Sequence, residues 1–586
     1  MKKIQNKIED IVVEMCRGIT LAHPEIGLNA EYKFLYKKNK NENKVTLISG
    51  GGSGHEPSHA GFIGEGMLDV AVCGDIFASP SQIQVYKAIK ESAGRNGTLL
   101  IIKNYSGDIM NFSNAAYLAE MDGLQVETVK VDDDIAVEDS LYTVGRRGVA
   151  GTVFVHKIAG AAAEKGLDLQ EVKRLAQKAA DSVRSIGFAL TSCTVPAKGT
   201  PTFTLEGREI EYGVGIHGEP GIRKEELAEA NALIGKMVSS VVSDLALKEH
   251  DEIALLVNGF GATPLAELYI ACYAAAAQLD SANIKPYRIF VGEYMTSLDM
   301  AGASISIMKL DDCLKELLDA PSQAPAFRVS DPGDEPVFVP VAQQSNETTG
   351  TFTVETPAEH AQIREERLTL DNMVFIVDVM SKVIIENEIP FCELDSHAGD
   401  GDFGMSVAKG FRQLKREWPV LLRKATEEKN DIGVFLDACS EVLMEHCGGA
   451  SGPIWGIAFK SAGRVLRGKE DISVSDFAGM LQAAVEGIQA IGKRSFGRGA
   501  VVGDKTLIDA LAPCADAWVE AAESGYTFKE AFLIGAEAAT RGAKETENMV
   551  ARMGRAGTVG ERSLGYPDAG AHALGVIFTE IAKEIE

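Results

Sequence analysis

Residues 321 to 358, PSQAPAFRVSDPGDEPVFVPVAQQSNETTGTFTVETPA, divide the chain into two stretches with different hydrophobic rhythms. This segment is rich in Pro, Ser, Thr and Gln and has neither a helical nor a strand period. It reads as an extended linker over 321–359. Before it, short apolar runs alternate with amphipathic helices. After it, strand signals almost vanish and apolar residues recur with the period of a helix. A chain of 586 residues is too long for one hydrophobic core. The expectation is a multidomain protein: an α/β module of two subdomains over 1–320 and an all-α module over 360–586.

In the first stretch, the apolar run Val45 to Ser49 leads into GGGSGHEPSH (50–59), Val70 to Cys73 leads into GDIFASPS (74–81), and Thr98 to Lys103 leads into NYSGD (104–108). This is the pattern of a largely parallel sheet, whose sites lie in loops beyond the strand C-terminal ends. His55, His59, Lys103 and Asp108 fall in or beside those loops. Backbone amides in the glycine run can hold hydroxyl groups or a phosphate. The run lacks the Gly-Lys-Ser/Thr ending of a P-loop. Farther on, a helix is expected over 169–186 and a strand over 188–195. His217 lies in EYGVGIHGEPG (211–221), where flanking glycines let a ligand approach the imidazole. An imidazole nitrogen can add to a ketone carbon. Two histidines, an aspartate and a lysine suit a small polar carbonyl compound, with a carboxylate or imidazole to take the proton of an acceptor hydroxyl.

In the second stretch about eight helices are expected, interrupted by glycine loops. LDSHAGDGDFG (394–404) crowds Asp395, Asp400 and Asp402 together. Three such carboxylates repel one another unless a cation lies between them, and hard divalent cations take oxygen ligands. GGASG (448–452), the loop 494–506 and GRAG (554–557) add amides, Ser451 and Arg555 as phosphate contacts. Together these point to a nucleotide–magnesium site in a helical frame, without a Walker A or protein-kinase signature.

A formal net charge of −26 argues against a nucleic-acid or anionic-membrane partner. Nine cysteines without a CxxC pair suggest reduced thiols and a cytoplasmic location. The first residues lack the apolar core of a secretory signal, and no run approaches a membrane span.

The motifs together resemble the ATP-dependent dihydroxyacetone kinase family. LISGGGSGHEPSHAGF, GDIFASPS, NYSGD, RRGVAGT, GIHGEPG, NGFGATP and YMTSLDMAG are similar to its ketone-binding module. LDSHAGDGDFG, GGASG, GDKTLIDAL, GRAG and DAGA are similar to its nucleotide-binding helical barrel. The resemblance implies that His217 holds the ketone covalently, and that Gly52, Ser53, Gly54, His55, Lys103 and Asp108 contact it, with His55 and Asp108 as acid/base candidates. It implies that Asp395, Asp400 and Asp402 ligate magnesium bridging the ATP phosphates. Gly401, Asp402, Phe403, Gly404, Ala450, Ser451, Arg555 and Asp568 would line the nucleotide. It also implies a homodimer, in which one chain's nucleotide module caps the other's ketone module. Phe403, Ala450 and Ala569 depart from the family's usual His, Thr and Pro. A short triose, a tetrulose such as erythrulose, a flavin-nucleotide lyase side activity and a non-catalytic ketone sensor all remain open at this point.

Overall fold

The computed structural model describes residues 2–137, 145–331, 333–341, 356–553, 557 and 560–586. Two compact units divide the chain, Met1–Gln343 and Gln344–Glu586.

The first unit opens with α1 (Ile11–Ala22) and a six-stranded sheet: β1 (Ile26–Asn29), β2 (Phe34–Lys37), β3 (Thr46–Ser53), β4 (Val70–Ile76), β5 (Thr98–Lys103) and β6 (Val126–Val131). The spatial order is β1-β2-β4-β3-β5-β6. β4, β3, β5 and β6 run parallel, and β1 and β2 add an antiparallel edge. α2 (Gln82–Ser92) and α3 (Ser106–Met121) are the crossovers. A Ser81–Gln84 capping box starts α2 by satisfying amides that the first turn leaves open.

Helices α4 (Thr152–Glu164) and α5 (Leu169–Ser182) lead to the second sheet. Its strands are β7 (Val183–Ala189), β8 (Glu209–Tyr212), β9 (Arg223–Glu226), β10 (Glu252–Gly259), β11 (Lys285–Gly292) and β12 (Gly302–Lys309), ordered β11-β10-β12-β7-β8-β9. Only β10 and β11 pair in parallel. α6 (Ala230–Asp244), α7 (Leu265–Ser281) and α8 (Asp312–Asp319) complete its layers. The helix expected over 169–186 ends at Ser182, and the strand begins there, ahead of the expected 188. Both faces of β7 are covered, so its sequence VRSIGFA carries little alternation to set it apart from the helix before it. One apolar core joins β3, β5, α4, α5 and β10, including Leu47, Ile101, Phe154, Leu175 and Leu256.

The expected linker starts too early. Residues Ser322–Ala324 (β13) and Phe327–Val329 (β14) form a hairpin that hydrogen-bonds to Glu65 and Gly61 of the first unit. Ala324 and Phe327 are buried there, and that burial overrides the proline-rich composition.

The second unit holds α9 (Leu370–Glu386), α10 (Glu388–Asp395), α11 (Phe403–Glu427), α12 (Ile432–His446), α13 (Ser451–Val465), α14 (Val474–Phe496), α15 (Ile508–Glu523), α16 (Phe528–Glu545) and α17 (Ala569–Glu584). The eight expected helices are present, and the short α10 is an addition. Its sequence EIPFCELD is too brief to display a helical period. From α11 onward each helix packs on the next, and α9 packs on both α11 and α17, so the ring closes. Capping boxes start α9, α14 and α16. The interior is apolar, with Phe411, Trp455, Phe477, Trp518 and Phe532 among its larger residues. No helix among the described residues is long and apolar enough to cross a membrane.

Candidate functional site

Each unit carries its own polar site. In the first unit, the C-terminal ends of β3, β4 and β5 bring His55, Phe77 and Lys103 to one edge of the parallel sheet. Asp108 reaches the same place from the first turn of α3. His217 comes from the loop after β8, and Thr296 from the loop after β11. The first four groups come from one sheet edge, and the packing of the second sheet brings His217 and Thr296 to them.

Lys103 and Asp108 form a buried ion pair, Nζ to Oδ2 at 3.1 Å, with side chains 0% and 3% exposed. The second oxygen, Asp108 Oδ1, is buried without a hydrogen-bond partner. Such an atom costs stability unless a ligand or water reaches it. Gly51 makes room for the pair: a Cβ there would lie 2.4 Å from Lys103 Nζ. The Tyr105 hydroxyl is a second buried group without a partner.

His55 Nδ1 lies 2.9 Å from the Thr296 carbonyl, and its Nε2 lies 3.2 Å from His217 Nε2. A carbonyl can only accept, so Nδ1 of His55 carries the proton and Nε2 is the acceptor in the neutral ring. Nε2 of His217 is then the donor across the pair. Burial, with His217 and Lys103 adding like charge, holds His55 well below the usual histidine range. Burial, with Lys103 and Arg147, lowers His217 to about 3. Both rings are therefore neutral at physiological pH, and an uncharged imidazole is the form that can act as a nucleophile. Phe77 stacks on His55 at 5.1 Å between centroids, and Tyr105 meets His217 edge-on at 4.4 Å. These aromatic walls fix both rings and exclude water.

The glycine run is less open than its sequence suggests. The Gly54 N–H donates to the Glu56 carboxylate at 3.1 Å, and the Ser53 hydroxyl donates to the Gly74 carbonyl at 2.7 Å. Gly52 packs against the backbone of Phe77 and Ala78. His59 is buried and lies 3.0 Å from His156. Phe77, Tyr105 and Thr296 are site residues that sequence reasoning did not single out, although all three fall inside quoted motifs.

In the second unit, oxygens of Asp395, Asp400 and Asp402 lie within 4.8 Å of one another. Asp395 Oδ2 accepts the N–H groups of Gly401 at 2.9 Å and Asp402 at 3.2 Å, which folds the loop over itself. An all-oxygen, all-anionic donor set of this size fits a hard divalent cation. A cavity of about 220 Å³ adjoins it, lined in part by Asp400, Phe403, Ala450, Ser451, Thr506 and Asp568. Ser451 opens α13 at that cavity. Gly401 shapes the loop, and Gly404 allows α11 to approach the Glu388 carbonyl. Asp568 caps α17 through the Ala571 N–H at 2.8 Å, and burial pushes its carboxyl up to about 7. Arg555 lies outside the described residues. Lys505, not singled out from sequence, is buried on this wall and donates to the carbonyls of Thr546 at 2.8 Å, Tyr566 at 2.7 Å and Ser563.

Two domain families match the chain: the Dak1 domain over residues 17–326 and the DAK2 domain over residues 397–583. The chain is 49% identical over 313 residues to the dihydroxyacetone-binding subunit of a PTS-dependent dihydroxyacetone kinase of Listeria innocua, a match covering 53% of this chain and 95% of that one. It is 33% identical over 591 residues to an L-erythrulose 1-kinase of Mycolicibacterium smegmatis, covering 100% of both. Among solved structures it is similar to the dihydroxyacetone kinase of C. freundii in complex with AMP-PNP and Mg2+, with a TM-score of 0.59, 30% identity and coverage of 99% of both chains. Whole-length similarity in sequence and structure, with both domain families in the same chain, establishes that this protein belongs to the dihydroxyacetone kinase family.

Proposed function

We propose that this chain is an ATP- and Mg2+-dependent ketose kinase that phosphorylates dihydroxyacetone or a related short ketose held on His217. The observation that carries the reading is the pair of neutral, touching imidazoles beside a buried carboxylate with an unpartnered oxygen. That set can capture a carbonyl and orient a hydroxyl.

In this reading, Nε2 of His217 bonds to the ketone carbon as its proton passes to Nε2 of His55. The carbonyl π pair moves onto oxygen, and His55 returns the proton there, so the hemiaminal forms with no net proton change. The unpartnered Asp108 oxygen accepts the hydrogen bond of the hydroxyl to be phosphorylated and takes its proton as that oxygen attacks. Lys103 holds Asp108 in place through their 3.1 Å contact. Gly52, Ser53 and Gly54 form the floor of the loop. Asp395, Asp400 and Asp402 would hold the magnesium, while Ser451 and the first turn of α13 would meet the nucleotide phosphates. When bound, Mg2+ and ATP supply the phosphoryl group and offset its charge.

Erythrulose is a second supported substrate, because the M. smegmatis relative that spans the whole chain carries that name. One more carbon in the pocket is a matter of shape. As part of the same reading the chain is cytoplasmic and assembles as a homodimer, whose mass by light scattering would be twice the 62.6 kDa of one chain. A coupled assay with ATP, Mg2+ and a ketose panel tests the function. Turnover with dihydroxyacetone or erythrulose, lost on chelating the metal, is expected; metal-independent turnover, or none with any short ketose, would contradict it.

A further inference from the structure

Behind the His217 loop lies a fully buried arginine that the proposed reaction does not use. Arg147 is 1% exposed. Its Nε donates to Asp134 Oδ2 at 2.7 Å, its Nη2 donates to the Gly213 carbonyl at 2.8 Å, and its Nη1 lies 3.3 Å from Glu219 Oε1. The other Glu219 oxygen accepts the backbone N–H of His217 itself at 2.8 Å. The guanidinium therefore grips the start of the loop at Gly213 directly and its end at Glu219 through a carboxylate. Gly215 lies between these grips. A Cβ there would be 1.9 Å from Glu219 Oε1 and 2.7 Å from Arg147 Nη1, so the loop lies flat on the ion cluster.

We propose that Arg147 is a positioning residue for the reaction: through Glu219 and the Gly213 carbonyl it holds the 213–219 turn so that His217 presents its ring to the ketone. The proposal rests on the reading of His217 as the ketone-holding group. Arg147 is itself anchored. Its carbonyl accepts the Asp134 N–H at 3.0 Å, and two residues on, the Val149 N–H is held by Asp133 at 2.8 Å. A planar fork that meets two carboxylates and a carbonyl is work that lysine cannot copy.

The same cation has an electrostatic effect. The charged or titratable groups around His217 are Lys103 at the end of β5, Tyr105 after it, Asp108 on α3, His55 after β3, Asp134 after β6, and Arg147 and Glu219. Lys103 and Arg147 are the cations that, after burial, keep its imidazole unprotonated. Removing the Arg147 charge would let His217 protonate at higher pH and so move the acid limb of ketose capture upward.

The test uses the full-length enzyme with dihydroxyacetone labelled with carbon-13 at the carbonyl, following the adduct by NMR and kcat/KM for ketose across pH. The variants are Arg147→Lys and the charge-balanced double substitution Asp134→Asn/Arg147→Met, with MgAMP-PNP binding as a control for the other unit. The double variant is expected to slow capture about 10- to 100-fold, with little change in the acid limb because it removes one charge of each sign. Arg147→Lys is expected to slow capture while leaving the acid limb where it was. Parent-like capture in Arg147→Lys, or in the folded double variant, would overturn the proposal. If the double variant does not fold, Arg147→Lys alone decides. His217→Ala separates the two ideas: capture that survives that change sinks the His217 reading itself, whatever Arg147 does.

Discussion

The two sites solve opposite electrostatic problems. In the first unit, Lys103, Asp108 and His55 are buried and the histidine rings are neutral, so the protein bears the desolvation cost before substrate arrives. In the second unit, three carboxylates gather in a partly exposed loop with their oxygens within 4.8 Å of one another. A preorganised, water-excluded site suits recognition of a small neutral molecule, where fixed groups do the work. An open anionic site suits a ligand that brings its own cation. The contrast predicts that the ketose site fails through loss of individual nucleophilic or basic groups, and the nucleotide site through loss of charge.

The largest effect is expected from Asp400→Asn. It should lower kcat by about 1,000-fold or more while ketose capture stays intact, because the change touches only the cation-binding loop. Equal loss of ketose binding would erase the contrast. His217→Ala comes next: the carbon-13 adduct should vanish and kcat/KM for ketose should fall by about 100-fold or more, with nucleotide binding unchanged.

A smaller and graded effect concerns pH. His55, His59, His156 and His217 are all held below the histidine range, His156 and His217 to about 3, with burial the first cause in each. The unfolded chain binds protons on these groups below about pH 6.5 and the folded chain does not. Stability of the first unit should thus be full above that pH and fall as pH drops below it, by up to about 1.4 kcal/mol per pH unit for each of His156 and His217 on the way toward 3. Denaturant unfolding at a series of pH values, read from probes in each unit, checks this; a flat profile for the first unit contradicts it. The smallest effect is expected from Ala450→Thr. Ala450 stands at the N-cap of α13 with no side-chain oxygen to offer. A hydroxyl there should lower KM for ATP by about 2- to 10-fold, the worth of one hydrogen bond, and leave KM for ketose alone.

What could be read from the chain depended on how local the determinant was. Asp395, Asp400 and Asp402 were legible because the loop that joins them spans eight residues, and the helical ring was legible from its periodicity. His55, Lys103, Asp108 and His217 could be named one by one from their loops. Their meeting was carried only by the family resemblance, because bringing His217 to the others depends on two sheets packing across more than a hundred residues of sequence. The Thr296 carbonyl that sets the His55 tautomer lies inside the motif YMTSLDMAG, but its role could not be read there, since any residue supplies a carbonyl. The same holds for the amides of Gly54 and the hydroxyl of Ser53, which proved to be engaged inside the fold. At 183 and at 322, burial decided between helix, strand and linker where composition pointed elsewhere.

The most direct measurement is a calorimetric titration of the parent, His217→Ala and Asp400→Asn enzymes, each with dihydroxyacetone and separately with MgAMP-PNP. The account predicts that the first variant loses only the ketose and the second only the metal–nucleotide. A variant that loses both ligands, or neither, would contradict the assignment of one site to each unit.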